Sequence, residues 1–168
     1  MEEDVNVLLG PGLNIKRNPL CGRNFEYFSE DPYLSSRMAA AAVTGMQSEG
    51  VSCVAKHFCG QGETTGGVNA SAARIGEQEL REIHFPAMQA CCDAGVDGVM
   101  AAYNEIDGVY CHGNPWLLRD VLREEMGFEG VLISDWAAIE EMINHGYCAD
   151  RKEAAIRGIK AGLRKYGK

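Results

Sequence analysis

Positive charge is in short supply in this chain. Sixteen Lys and Arg stand against 24 Asp and Glu, a formal net charge of −8 over 168 residues, and no lysine- or arginine-rich run occurs. Nucleic acid and anionic membrane surfaces both select basic patches, so neither is expected as a partner. Small neutral or organic substrates fit the balance better. Long hydrophobic runs are missing too. The acidic N-terminus, MEEDVNVLLG, offers only Val5 to Leu9 as an apolar stretch, too little for a signal peptide or a membrane span, and the chain as written reads as cytoplasmic. Metal-type cysteine spacing is also lacking: the seven cysteines are an odd number with no CxxC pair and no finger-like Cys/His pattern. They read as small buried hydrophobes of a reducing compartment, and neither a metal nor another cofactor is expected. His57 near Cys59, and Cys111 beside His112, each lack the second half of a zinc site. The run Gly60 to Gly67 lacks the GK[ST] ending of a phosphate loop. Asn69-Ala70-Ser71 matches a glycosylation acceptor, read here as a chance match.

What is present is a regular alternation. Four short apolar runs, Val5 to Leu9, Val51 to Lys56, Asp97 to Tyr103 and Gly130 to Ser134, read as buried strands. Each is followed by a helical segment. Asp31-Pro32 supplies an N-cap and a first-turn proline for a helix ending near Gly50, with Leu34, Met38, Ala41, Ala42 and Met46 expected on one face. Glu77 to Ala94 carries Leu80, Ile83, Ala87, Ala90 and Cys91 at helical spacing, with Pro86 expected to kink or divide it. Asn114-Pro115 opens another helix, with Leu118, Val121 and Leu122 inward and Gly127 as its stop. A last helix spans about Arg151 to Gly162, and a short one is expected after Asp135. Strand and helix in alternation signal an α/β fold of βα repeats on a parallel sheet. About four such units make half of a (β/α)8 barrel, whose complete form runs to about 250 residues; the expectation is a partial TIM-like barrel in one piece.

Parallel strands would bring their C-terminal ends together, joining Gly10 to Asn14, Lys56-His57, Tyr103-Asn104 and Ser134-Asp135-Trp136 on one rim. Such a rim can grip a polyhydroxylated ligand, with charged and amide groups bonding hydroxyls and an aromatic face packing on a sugar ring. Each residue also has a structural reading. Asp135 sits where helix N-caps sit, and His57 reads equally as a core histidine bonded to backbone. Tyr103 and Trp136 read as packing, Arg23 and Glu26 as an ion pair across a loop, and Lys56 as a solvated cation or the imine-forming amine of an aldolase-like barrel.

The motifs GPGLNIKRNPLCGRNFEYFSEDPYLS (Gly10 to Ser35), KHF (Lys56 to Phe58), MAAYNEIDG (Met100 to Gly108) and VLREEMGFEGVLISDWAA (Val121 to Ala138) closely resemble, in order, those of the barrel domain of glycoside hydrolase family 3, β-glucosidase type. The last is the most specific, and the resemblance spans residues 1–163, leaving 164–168 as a non-matching tail. It implies a hydrolase of O-glycosidic bonds that retains anomeric configuration, acting on a β-linked glucoside or oligosaccharide. Asp135 would be the nucleophile, and Trp136 would wall the subsite of the non-reducing sugar. Arg23, Lys56 and His57 would bond that sugar's hydroxyls, Tyr103 would sit beside the nucleophile, and Met100 would line the same subsite. Glu26 and Asn104 match the motifs without a defined role.

Retaining hydrolysis needs two carboxyl groups about 5 to 5.5 Å apart, and this sequence identifies only one. In the β-glucosidase branch the acid/base is a glutamate of a separate C-terminal domain with no counterpart here. In the β-N-acetylglucosaminidase branch it is an Asp-His pair on the loop after KHF, where this chain has Asn69 at the expected histidine. An aspartate from an upstream barrel strand has no counterpart either, so both ends look truncated. The expectation is a fragment of low activity, self-associating through uncovered barrel edges. Its rival is a sugar-binding or assembly module completed by a partner chain.

Overall fold

A computed structural model describes residues 4–64 and 72–163. The chance acceptor match Asn69-Ala70-Ser71, part of the glycine-rich run and the C-terminal tail lie outside the described residues. The four apolar runs form one sheet, β1 (Val7–Leu8), β2 (Ser52–Phe58), β4 (Gly98–Ala101) and β7 (Val131–Ile133), in the order β1-β2-β4-β7, every pairing parallel. Val7 stands opposite Ser52, Ala55 opposite Val99, and Val99 opposite Leu132. All four residues of β4 are buried, as expected of a strand covered on both faces. A register shift between Lys56 and Phe58 interrupts the β2–β4 ladder at His57.

The helices start and stop where the punctuation signals put them. In α1 (Pro32–Ser48) the Asp31 carboxylate accepts the Tyr33 N–H at 2.8 Å. The inward face, however, is Ser35, Ala39 and Val43, while Leu34 and Met38 are exposed. This corrects the expected face by about one residue's rotation. Of the larger side chains expected inward, Leu34 and Met38 are left outside and Met46 packs partly buried against the core. Glu77 to Ala94 divides as anticipated into α2 (Glu77–Glu79), a π-helical turn (Leu80–His84) and α3 (Pro86–Asp93). Pro86 lacks an N–H and crowds the carbonyl four residues back, so the turn before it widens and the Phe85 N–H reaches the Leu80 carbonyl at 2.8 Å. The π-helix Trp116–Glu125 buries Leu117, Leu118, Val121 and Leu122. After β7 come α4 (Ala138–Asn144) and α5 (Arg151–Ala161). Two side-chain bonds open α5: the N-cap Asp150 accepts from the Glu153 N–H, and Glu153 reaches back to accept from the Ala149 N–H, both at 2.8 Å.

A second, small sheet was not anticipated. It joins β3 (Ala72–Ala73), β5 (Glu105–Ile106) and β6 (Val109–Tyr110). Its hairpin turns on Asp107-Gly108, both at positive φ, the geometry that favours Asp-Gly at such turns. Among the described residues no helix is long and apolar enough to cross a membrane.

Candidate active site

The strand order places β2 between β1 and β4, so the segments that follow these strands meet at one end. Beyond β1 the chain runs beside β2 again: the Leu13 N–H donates to the Lys56 carbonyl at 2.7 Å and the Lys56 N–H to that of Pro11 at 3.0 Å. Gly12 then bridges Tyr27 and Lys56. A Cβ at Gly12 would stand 2.7 Å from the Glu26 carbonyl oxygen, closer than real Cβ contacts come. The bare backbone there brings the Arg23–Tyr27 loop onto the sheet.

Glu26 is the hub of the cationic side. One carboxylate oxygen accepts from Arg23 Nε and the other lies 2.9 Å from Lys56 Nζ. Burial opposes its ionisation, but the bonds to Arg23 and Lys56 prevail and hold it below the usual carboxylate range. An ion-paired lysine ammonium has no lone pair for imine formation, which speaks against the aldolase reading of Lys56.

His57 is bonded on both ring nitrogens. Arg23 can only donate, so its contact at 3.0 Å makes His57 Nε2 an acceptor. The proton therefore sits on Nδ1 and is donated to Asn14 Oδ1 at 3.1 Å, with the Tyr27 hydroxyl at 3.4 Å. Asn14 also clasps the His57 backbone, accepting its N–H and donating to its carbonyl, each at 3.0 Å. Burial first, then the Arg23 and Lys56 charges, push the imidazole down to about 2. His57 is a neutral, oriented ring. It is buried like a core histidine, but its ring bonds the Arg23 and Asn14 side chains and, among the described residues, no backbone group.

Asp135 follows β7 and faces this group. Its Oδ2 lies 3.5 Å from His57 Nε2 and has no hydrogen-bond partner among the described residues, while Oδ1 accepts the Trp136 N–H at 2.7 Å. Burial raises its carboxyl above the ordinary value, against the opposing effect of the Trp136 N–H and the Arg23 and Lys56 charges. Tyr103, buried, donates its hydroxyl to the Trp136 carbonyl. Met100 is buried on β4, in register with Lys56 and Ile133. Trp136 stands 87% exposed, so its ring is presented at the surface and packs into no core cluster. Asn104 is structural, donating to the Cys59 and Glu105 carbonyls.

Two partners escaped the sequence reading. Asn14 was only the end of a segment, and His112 only half of a discounted zinc pair, yet His112 Nε2 lies 3.2 Å from the Asp135 backbone nitrogen. The Asp-Gly turn that delivers His112 was a usable signal. Among the described residues no group of three or more His, Cys, Asp or Glu is placed to hold a metal ion, and burial pushes the Cys59 and Cys111 thiols up, the latter to about 12.

Residues 1–164 match the sequence profile of the glycosyl hydrolase family 3 N-terminal domain. Thermostable beta-glucosidase B of Acetivibrio thermocellus is 46% identical over 143 residues, which cover 84% of this chain and 19% of that protein. An exo-alpha-(1->6)-L-arabinopyranosidase of Bifidobacterium longum is 49% identical over 139 residues, 82% of this chain and 18% of that protein. The crystal structure of beta-glucosidase from Listeria innocua in complex with glucose superposes with a TM-score of 0.91 at 39% identity, covering 95% of this chain and 24% of that one. The chain thus spans about a fifth of the length of the curated relatives it matches.

Proposed function

Since the chain belongs to glycosyl hydrolase family 3, whose N-terminal domain it matches over residues 1–164, we propose that it carries the nucleophile and much of the sugar-binding rim of a retaining, β-glucosidase-like glycosidase. Asp135 attacks the anomeric carbon and the bond to the leaving oxygen breaks. The resulting glycosyl ester is then hydrolysed by water, with retention. Arg23 and Lys56 donate to the sugar's hydroxyls, the neutral His57 offers a fixed ring edge, Met100 and Tyr103 line the subsite, and Trp136 supplies an aromatic wall. The observation that carries this reading is the Asp135 carboxylate, with one oxygen left without a hydrogen bond, among Arg23, Lys56 and His57.

The carboxylate whose charge bears on Asp135 is Glu26. Locked between two cations, it is an acceptor and a poor proton donor, so the general acid is assigned to a group outside this chain. Losing general acid catalysis forfeits about 10² to 10⁴ in rate for a poor leaving group, and the isolated chain is expected to turn over alkyl glucosides slowly. The relatives include a glucosidase and an arabinopyranosidase at similar identity; in this reading the region serves their shared chemistry, and sugar preference is set elsewhere.

A 2-deoxy-2-fluoroglucosyl fluoride tests this directly, because fluoride leaves with little protonation. Incubation is expected to add one fluoroglucosyl group, mapped by peptide mass spectrometry to Asp135 and absent from Asp135→Asn. A chain that binds glucose yet takes no label would instead be a sugar-binding module.

A further inference from the structure

We infer that His112 is a positioning residue for Asp135, its buried imidazole holding the backbone from which that carboxylate projects. The inference rests on the reading of Asp135 as nucleophile. The β5–β6 hairpin ends in the 3-10 turn Cys111–Gly113, and His112 within it is wholly buried. Its Nε2 lies 3.2 Å from the Asp135 backbone nitrogen. A backbone N–H can only donate, so Nε2 carries the lone pair and Nδ1 the proton.

This bond does what the sheet no longer does. The β4–β7 ladder ends with Ile133 opposite Met100, and two residues later the Asp135 N–H has His112 as its acceptor. The following groups are secured in turn. The Trp136 N–H binds Asp135 Oδ1, the Trp136 carbonyl accepts the Tyr103 hydroxyl, and the Asp135 carbonyl accepts the Ala138 N–H at 3.2 Å. The turn bearing His112 is itself braced: Cys111 N–H donates to the Asn104 carbonyl at 3.1 Å, and a Cβ on Gly113 would come within 3.1 Å of the Tyr147 ring. Without the imidazole lone pair the Asp135 amide must turn to find another acceptor, and the carboxylate turns with it. Arg23, Lys56 and His57 belong to other elements and keep their bonds. Loss of His112 therefore affects the alignment of attack and spares the contacts that Arg23, Lys56 and His57 make with the sugar.

Two substitutions separate the bond from the packing. His112→Gln brings an amide oxygen close to the place of Nε2, and His112→Leu fills space without an acceptor. With the fluoroglucosyl fluoride, the leucine variant is expected to label about tenfold or more slowly at saturation, with half-saturation little changed, and the glutamine variant to label at close to the wild-type rate. Equal rates in all three proteins, or a leucine defect confined to half-saturation, overturn the inference. Hydrogen exchange at the Asp135 amide reads the bond without turnover: protection in wild type and the glutamine variant, lost in the leucine variant while β7 amides stay protected, supports it, and equal exchange overturns it. Wild-type protein unlabelled at Asp135 would sink the nucleophile reading alone, with the exchange result still deciding the role of His112. Should the leucine variant not fold, imidazole 15N shifts of wild type decide: a protonated Nε2 on His112 overturns the inference.

Discussion

Glu26 serves two cations with one carboxylate, and its neighbours feel the arrangement. Removing its charge in Glu26→Gln leaves Arg23 and Lys56 unneutralised beside Asp135. Hydrogen bonds to charged groups contribute about 1.5 to 3 kcal/mol each, so glucose affinity, measured by calorimetric titration, is expected to fall about tenfold or more as the two cations lose their fixed geometry. Because the Glu26 charge raises the Asp135 carboxyl and the two cations lower it, the same substitution should shift the acid limb of Asp135 labelling to lower pH. An unmoved limb would contradict this electrostatic account. The GRNFE segment showed the Arg23–Glu26 pair because its members lie three residues apart. Lys56, thirty residues beyond Glu26, left no such mark.

Elements were legible wherever their signals were local. The pairs Asp31-Pro32 and Asn114-Pro115, and the stop at Gly127, mark helix ends by chemistry confined to a single turn. Asp31→Ala is accordingly expected to cost about 1 kcal/mol in thermal or urea denaturation, the usual cost of a lost N-cap. Hydrophobicity favours Leu34 and Met38 on the inward face of α1, whereas the fold buries Ser35, Ala39 and Val43 there. Gly130 depends on a neighbour. A Cβ there would lie 2.3 Å from the Asp97 carbonyl oxygen, which accepts the Val131 N–H at 2.9 Å and so starts the β4–β7 ladder. Gly130→Ala should destabilise by about 1 to 3 kcal/mol, as overpacking does, and should also slow labelling of Asp135, which follows that strand.

Across the whole molecule, three buried histidines tie stability to pH. His57 is lowered to about 2, and His84 and His112 to about 4, each chiefly by burial, from 6.5. Between pH 6.5 and 4 the unfolded chain binds protons that the folded chain refuses, so stability falls as pH falls through that window and is full above it. Each histidine contributes up to about 1.4 kcal/mol per pH unit. Asp135 and Glu63, whose carboxyls are raised, oppose the loss only in the acidic range where carboxyls titrate. Urea midpoints at pH 7.5, 6 and 5 should therefore drop progressively; constant midpoints would refute the neutral-histidine assignments. Among the described residues β1 and β7 have no partner on their outer sides, with Val7, Leu8 and Leu9 exposed at one edge and Val131 and Ile159 exposed at or near the other. Concentration-dependent association is expected by light scattering, reduced by Val7→Lys or Ile159→Lys.

The sequence by itself determined the alternation of strand and helix, the division at Pro86, the family and the single carboxylate at a strand end. Periodicity, caps, breakers and motifs are all written within a few neighbouring residues. Only the tertiary structure decided how the groups around Asp135 are held: Arg23 carried in beside Gly12, His57 oriented by Asn14, Lys56 held by Glu26, and, unforeseen, His112 delivered by a hairpin on a second sheet. Those meetings depend on strand order and register between segments tens of residues apart, and backbone pairing at that range leaves no pattern in local sequence.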